Sequence, residues 1–173
     1  MSFFRKSNKK KANKKGKSLE QIQDETKKEA RLAKESFLRS IALLEQMVEQ
    51  LNYSAITLKE QGEQLNEEQK DLNELANAYK IDNDIIYVPR SRDIEISKVK
   101  NKINDLKEDI NRGVLIEPNS ILEQNDKMKL EMFRIIESIK DIQLGLALEF
   151  KSQDEQLENI MKQTHDIYNK MEH

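Results

Sequence analysis

The 173-residue chain has no cysteine and no tryptophan, only four glycines and two prolines, and few aromatics of any kind. Without cysteine there is no disulfide framework, no thiolate metal site and no thiol for palmitoylation or prenylation. With 5% aromatic residues a compact globular core would be thin. No apolar run approaches the ~18 residues that a membrane span requires. The start carries no signal-peptide apolar region, and Ser2 after Met1 lacks the glycine that myristoylation needs. The expectation is an intracellular protein, on the cytosolic face of the plasma membrane or endomembranes, whose membrane contact is peripheral.

What the chain has in quantity is charge, at 36% of residues, together with Leu, Ile, Gln and Asn. That mixture favours long helices that each bury one narrow stripe. Such helices are marginal until something covers the stripe, so the chain is expected to be partly disordered alone and ordered by assembly. The expected fold is all-α, with two long coiled-coil segments at 18–80 and 128–173. A partly helical linker at 81–127 joins them, and a disordered basic tail at 1–17 precedes them.

The net charge of −2 hides that tail. Arg5, Lys6, Lys9, Lys10, Lys11, Lys14, Lys15 and Lys17 occur without one acid, behind Phe3 and Phe4. Aromatics beside a polybasic run suit an anionic bilayer surface, at ~1 kcal/mol per nearby basic residue. A nuclear localisation signal, an RNA-contacting tail or a solubility tail would read the same way.

From Ser18 to Tyr79 only Gly62 interrupts good helix formers, and Ser18 with Gln21 can form a capping box. Ile85 to Pro89 reads as an extended stretch. A second helix is expected over 92–111, with Ile96, Val99, Ile103, Leu106 and Ile110 spaced by threes and fours and Gly113 placed to cap it. It could fold back on the first heptad helix or be a plain linker helix. Asn119 or Ser120 can N-cap the last helix.

Both long helices repeat at 3.5 residues. In the first, the positions Phe37, Ser40, Leu44, Met47, Leu51, Ser54, Leu58, Gln61, Leu65, Glu68, Leu72, Leu75 and Tyr79 form a seam, nine of the thirteen apolar. In the last they are Lys129, Met132, Ile136, Ile139, Gln143, Leu146, Phe150, Gln153, Leu157, Ile160, Thr164, Ile167 and Met171, again nine of thirteen. Gln61-Gly62-Glu63-Gln64-Leu65 matches Gln153-Asp154-Glu155-Gln156-Leu157 at four of five positions, in the same seam register. A buried amide in an apolar seam fixes register, because a slipped partner leaves it unpaired.

The stretch from Ser36 to Leu65, ending Glu60-Gln61-Gly62-Glu63-Gln64-Leu65, resembles the first SNARE motif of the synaptosome-associated-protein family. Met132 through Ser152-Gln153 to Ile160-Met161 resembles its second motif, and together they cover about half the chain. The resemblance implies a target-membrane protein giving Qb and Qc helices to a parallel four-helix bundle that drives vesicle docking and membrane fusion. A syntaxin-like Qa helix and a vesicle Arg-bearing helix would complete it, and a chaperone ATPase with its adaptor would take it apart. Gln61 and Gln153 would be the central polar layer, facing that arginine. With no cysteine cluster in the linker, the chain resembles the non-palmitoylated branch.

No catalytic constellation or cofactor site is expected. His165 and His173 lie on or beyond the polar side of the last helix, and the carboxylates alternate with lysines as surface charge. Two other classes compete with the fusion reading. A self-associating coiled-coil tether or scaffold would be helical and oligomeric without partners. A nucleic-acid-binding protein would use the basic tail with steep salt dependence, the least expected of the three.

Overall fold

The computed structural model describes residues 18–81, 95–112 and 121–172. The basic tail with Phe3 and Phe4, the Ile85–Pro89 stretch, Arg92, Gly113 and the Asn119/Ser120 cap lie outside the described residues. Among the described residues the protein is all-helical: α1 (Leu19–Ala78), α2 (Ile96–Asn111) and α3 (Ile121–Met171). At 1.5 Å per residue, α1 extends about 90 Å and α3 about 77 Å. The last helix therefore begins seven residues before the expected segment boundary at 128.

The start of α1 follows the sequence closely. Ser18 accepts from the Gln21 amide (3.2 Å), and Gln21 Oε1 accepts from the Ser18 amide (3.0 Å), closing the capping box. Its end has no glycine signal. Lys80 sits in the left-handed region (φ 55°). There its N–H donates to Asn77 O, and the Ile81 N–H donates to Ala76 O. This is a Schellman closure built on lysine where glycine is usual.

The long helices run side by side in the same direction. Gln153 Nε2 donates to Leu58 O (2.7 Å), Gln156 Nε2 to Asn66 Oδ1 (3.1 Å) and Gln69 Nε2 to Gln163 Oε1 (2.6 Å). The partners are 95, 90 and 94 residues apart. A nearly constant difference means a parallel pair in one register; an antiparallel pair would keep the sum constant instead. Near their starts, Phe37 of α1 and Met132 of α3 border one concavity, which keeps the same offset.

Between them α2 runs the opposite way. Ile96 and Ser97 lie near Val48, Glu49 and Asn52, while Lys107 donates to Glu45 Oε1 (2.6 Å). All five residues of its expected stripe are buried, Ile103 and Ile110 almost completely. They join Ile41, Leu44, Val48, Leu51 and Leu58 of α1 and Met128, Ile135, Ile139, Ile142 and Leu146 of α3 in one core. That core occupies the middle of α1 and the amino-terminal half of α3, and burial of this apolar surface is the main force holding the three together.

Candidate functional site

On each long helix, three rows of residues spaced by sevens settle which face is used. The central row of α1 is Phe37, Leu44, Leu51, Leu58, Leu65 and Leu72, buried or half-buried throughout. The row four residues on, Ile41, Val48, Ala55, Gly62, Gln69 and Ala76, is also inside. The row three residues on was expected to share the seam. Past its half-buried start at Ser40 it is exposed: Met47, Ser54, Gln61, Glu68 and Leu75.

The last helix mirrors this. Its central row is Met132, Ile139, Leu146, Gln153, Ile160 and Ile167, half-buried at Met132 and buried from Ile139 on. The inner row is Met128, Ile135, Ile142, Glu149, Gln156 and Gln163. The outer row begins with half-buried Ile136 and continues exposed through Gln143, Phe150, Leu157, Thr164 and Met171. So of the expected seam residues, Leu44, Leu51, Leu58, Ile139, Leu146, Gln153, Ile160 and Ile167 are buried and Phe37, Leu65, Leu72, Met132 and Ile136 are half-buried. Met47, Leu75, Tyr79, Phe150, Leu157 and Met171 face out, as does Gln61.

The reason is geometric. A helix with one parallel neighbour and α2 on the same flank buries its central row and one side row, and among the described residues the other side row has nothing to meet. The inner rows were missed by the seam reading, though they carried a signal. Ile41, Val48, Met128, Ile135 and Ile142 make the apolar stripe three rows wide over the amino-terminal halves, more than a strict heptad seam needs.

The outer rows meet across a groove along the α1/α3 pair, on the flank opposite α2. Near one end Ser36, Phe37, Ser40, Lys129, Met132, Phe133 and Ile136 line it. Further along, Gln61, Gln64, Leu65, Glu68, Phe150, Gln153, Asp154 and Leu157 line a second concavity. The two glutamines singled out by the internal repeat thus lie at one level of one groove. Phe150, 61% exposed, and Leu157, 43% exposed, border the second concavity, and Met47, 38% exposed, lies in the same outer row of α1 as Gln61. Large apolar side chains left exposed beside a concavity make it a candidate interaction face.

The two glutamines differ in state. Gln61 is exposed. Gln153 is 5% exposed, its amide nitrogen donating to the Leu58 carbonyl, and its approach depends on Gly62. A Cβ at Gly62 would stand 3.0 Å from Gln153 Nε2. Below this level the interface turns polar. Gln69, Asn73, Gln156 and Gln163 are all buried, yet Gln69 Oε1, Asn73 Nδ2 and Gln156 Oε1 have no hydrogen-bond partner. Unpaired buried amide atoms cost about 1–3 kcal/mol each, so the carboxyl-terminal half of the pair is held more weakly than the apolar half.

Among the described residues no group of three His, Cys, Asp or Glu side chains could hold a metal ion. No described helix is long and apolar enough to cross a membrane. The Tyr168 hydroxyl donates to Glu172 Oε1 (2.7 Å), a hydrogen bond that raises its pKa at the exposed end of α3. Comparison with protein-family models, curated proteins and solved structures returns no match for this chain. The functional reading therefore stands on the groove.

Proposed function

We propose that the chain is a two-helix SNARE of the target-membrane type, in which α1 and α3 are adjacent strands of a parallel four-helix coiled coil. The observation that carries this reading is the parallel, in-register α1/α3 pair whose outer rows leave an apolar groove containing Gln61 and Gln153 at one level. In a parallel four-helix bundle each helix packs its two side rows against two different neighbours. Each long helix here uses one side row within the chain and leaves the other for an arriving helix. Two helices are needed to close the groove, which suits a syntaxin-like Qa helix and a vesicle Arg-type helix.

The polar level supports the same assignment. An arginine buried at the centre of such a bundle must recover its lost hydration from acceptors. With Gln153 Nε2 committed to Leu58, its amide oxygen is the atom left to accept, and Gln61 offers a second amide from the other helix. Zippering would draw the partners' membrane anchors together, with vesicle docking and fusion as the outcome. A chaperone ATPase and its adaptor would recycle the complex. The chain itself would act from the cytosolic side as a peripheral component without enzymatic activity.

The test is to mix the purified chain with pairs of Qa and Arg-type helices and seek an SDS-resistant complex by gel. Failure with every pair, alongside stable parallel self-oligomers, would replace this reading with a coiled-coil tether that closes the groove with a second copy.

A further inference from the structure

We infer that α2 is an internal splint that holds α1 and α3 in parallel register from the flank opposite the groove, without any partner. Two long parallel helices in one chain need a return connection, and α2 lies within it, running antiparallel to both. It does not cover the groove: Glu45, Val48, Glu49 and Asn52 of α1 face it, whereas Gln61, Leu65 and Glu68 face the groove. On a helical wheel of 3.6 residues per turn these two sets fall on opposite flanks of the central leucine row.

The residue choice of the inner rows tracks α2. Where α2 lies alongside, they are Ile41, Val48, Met128, Ile135 and Ile142. Beyond its first turn, which sits at the level of Val48 and Asn52, they become Ala55, Gly62, Gln69 and Ala76 on α1 and Glu149, Gln156 and Gln163 on α3. Large apolar inner-row residues thus occur where there is a third helix to cover them and give way to small or polar ones beyond it. The Lys107–Glu45 ion pair joins α2 to α1 in this antiparallel arrangement. Five apolar side chains of α2 complete a core with both long helices within the chain itself. Of the two expectations for this helix, folding back on the first long helix is what is seen, and it leaves the groove uncovered. The splint stands on packing alone. Its consequence, a two-helix acceptor readied in advance, rests on the proposed function.

The absence of cysteine allows a clean distance test. Nitroxide labels on Tyr53→Cys and Leu148→Cys, both on exposed outward positions at one level of the pair, should give one narrow distance distribution in the isolated chain. Ile103→Asp with Ile110→Asp places charges where α2 is buried and should broaden it, while Asp105→Lys on the exposed side of α2 should not. With partner helices the double variant should still reach the final SDS-resistant complex, at a rate roughly tenfold lower, because the paired state must now be found by chance. An unchanged distribution in the double variant would overturn the splint, as would a variant that forms no complex where the unmodified chain forms one. If no partner binds even the unmodified chain, the proposed function falls and Ile103→Ala decides the splint. Broadening with the helical circular dichroism kept supports it, and joint loss of both refutes it.

Discussion

Alanine at Gly62 should destabilise the chain, whereas the same substitution at Gly145 should stabilise it. Both glycines are inside long helices, where alanine is favoured over glycine by roughly 0.5–1 kcal/mol. At Gly145 a new Cβ meets nothing within 4 Å, so that gain should appear in full. At Gly62 the Cβ would lie 3.0 Å from Gln153 Nε2 and 3.7 Å from its Cδ. Gln153 cannot retreat freely, because it is buried and its amide is held at 2.7 Å by the Leu58 carbonyl. Breaking that bond leaves a buried donor unpaired, at about 1–3 kcal/mol. The net effect at Gly62 is a loss of up to about 2 kcal/mol, and the two glycine sites should differ by about 1–3 kcal/mol. Urea unfolding followed by far-ultraviolet circular dichroism measures both, provided the slope with denaturant is unchanged. Repeating Gly62→Ala in a Gln153→Ala background closes a double-mutant cycle, and there alanine should become stabilising. Equal stabilisation at Gly62 and Gly145 would refute the account of Gln153 as a fixed neighbour of Gly62.

Ile103→Ala, at a side chain 1% exposed in the core, should cost about 2–5 kcal/mol, read by the same unfolding curves. Lys80→Gly should stabilise by up to about 1 kcal/mol, since glycine adopts the left-handed closure of α1 without a Cβ penalty; thermal melts check it. Phe150→Ser with Leu157→Ser should leave the stability of the isolated chain within about 0.5 kcal/mol, because both are exposed, yet abolish assembly with partner helices on gels. Replacing both Gln61 and Gln153 by Leu should prolong the life of an assembled complex or shift its register, measured by dissociation on dilution and by cross-linking.

The sequence by itself settled that there are three helices and where the first of them starts. The capping box at Ser18 and the five-residue stripe of α2 were readable because each depends on neighbours within about one turn. The central leucine row of α1 and the Ile139–Ile167 row of α3 were readable for a similar reason, since a seven-residue repeat is a local property. The Schellman closure at Lys80 was not, because lysine carries no left-handed signal and only the surrounding hydrogen bonds hold it there.

What the sequence left open was which side row accompanies each central row, and that depends on neighbours far away in the chain. Ile41 and Met47 are both apolar and both adjacent to the Leu44 stripe, yet one is buried and the other 38% exposed. The difference is that α2 and α3 stand on one flank and, among the described residues, nothing stands on the other. The same holds for the glutamines: the repeat placed Gln61 and Gln153 in equivalent registers, but the fold sets one against the Leu58 carbonyl and leaves the other facing the groove. Periodicity specifies a stripe, and only the packing of three helices decides which edge of that stripe is spent inside the protein and which remains for another.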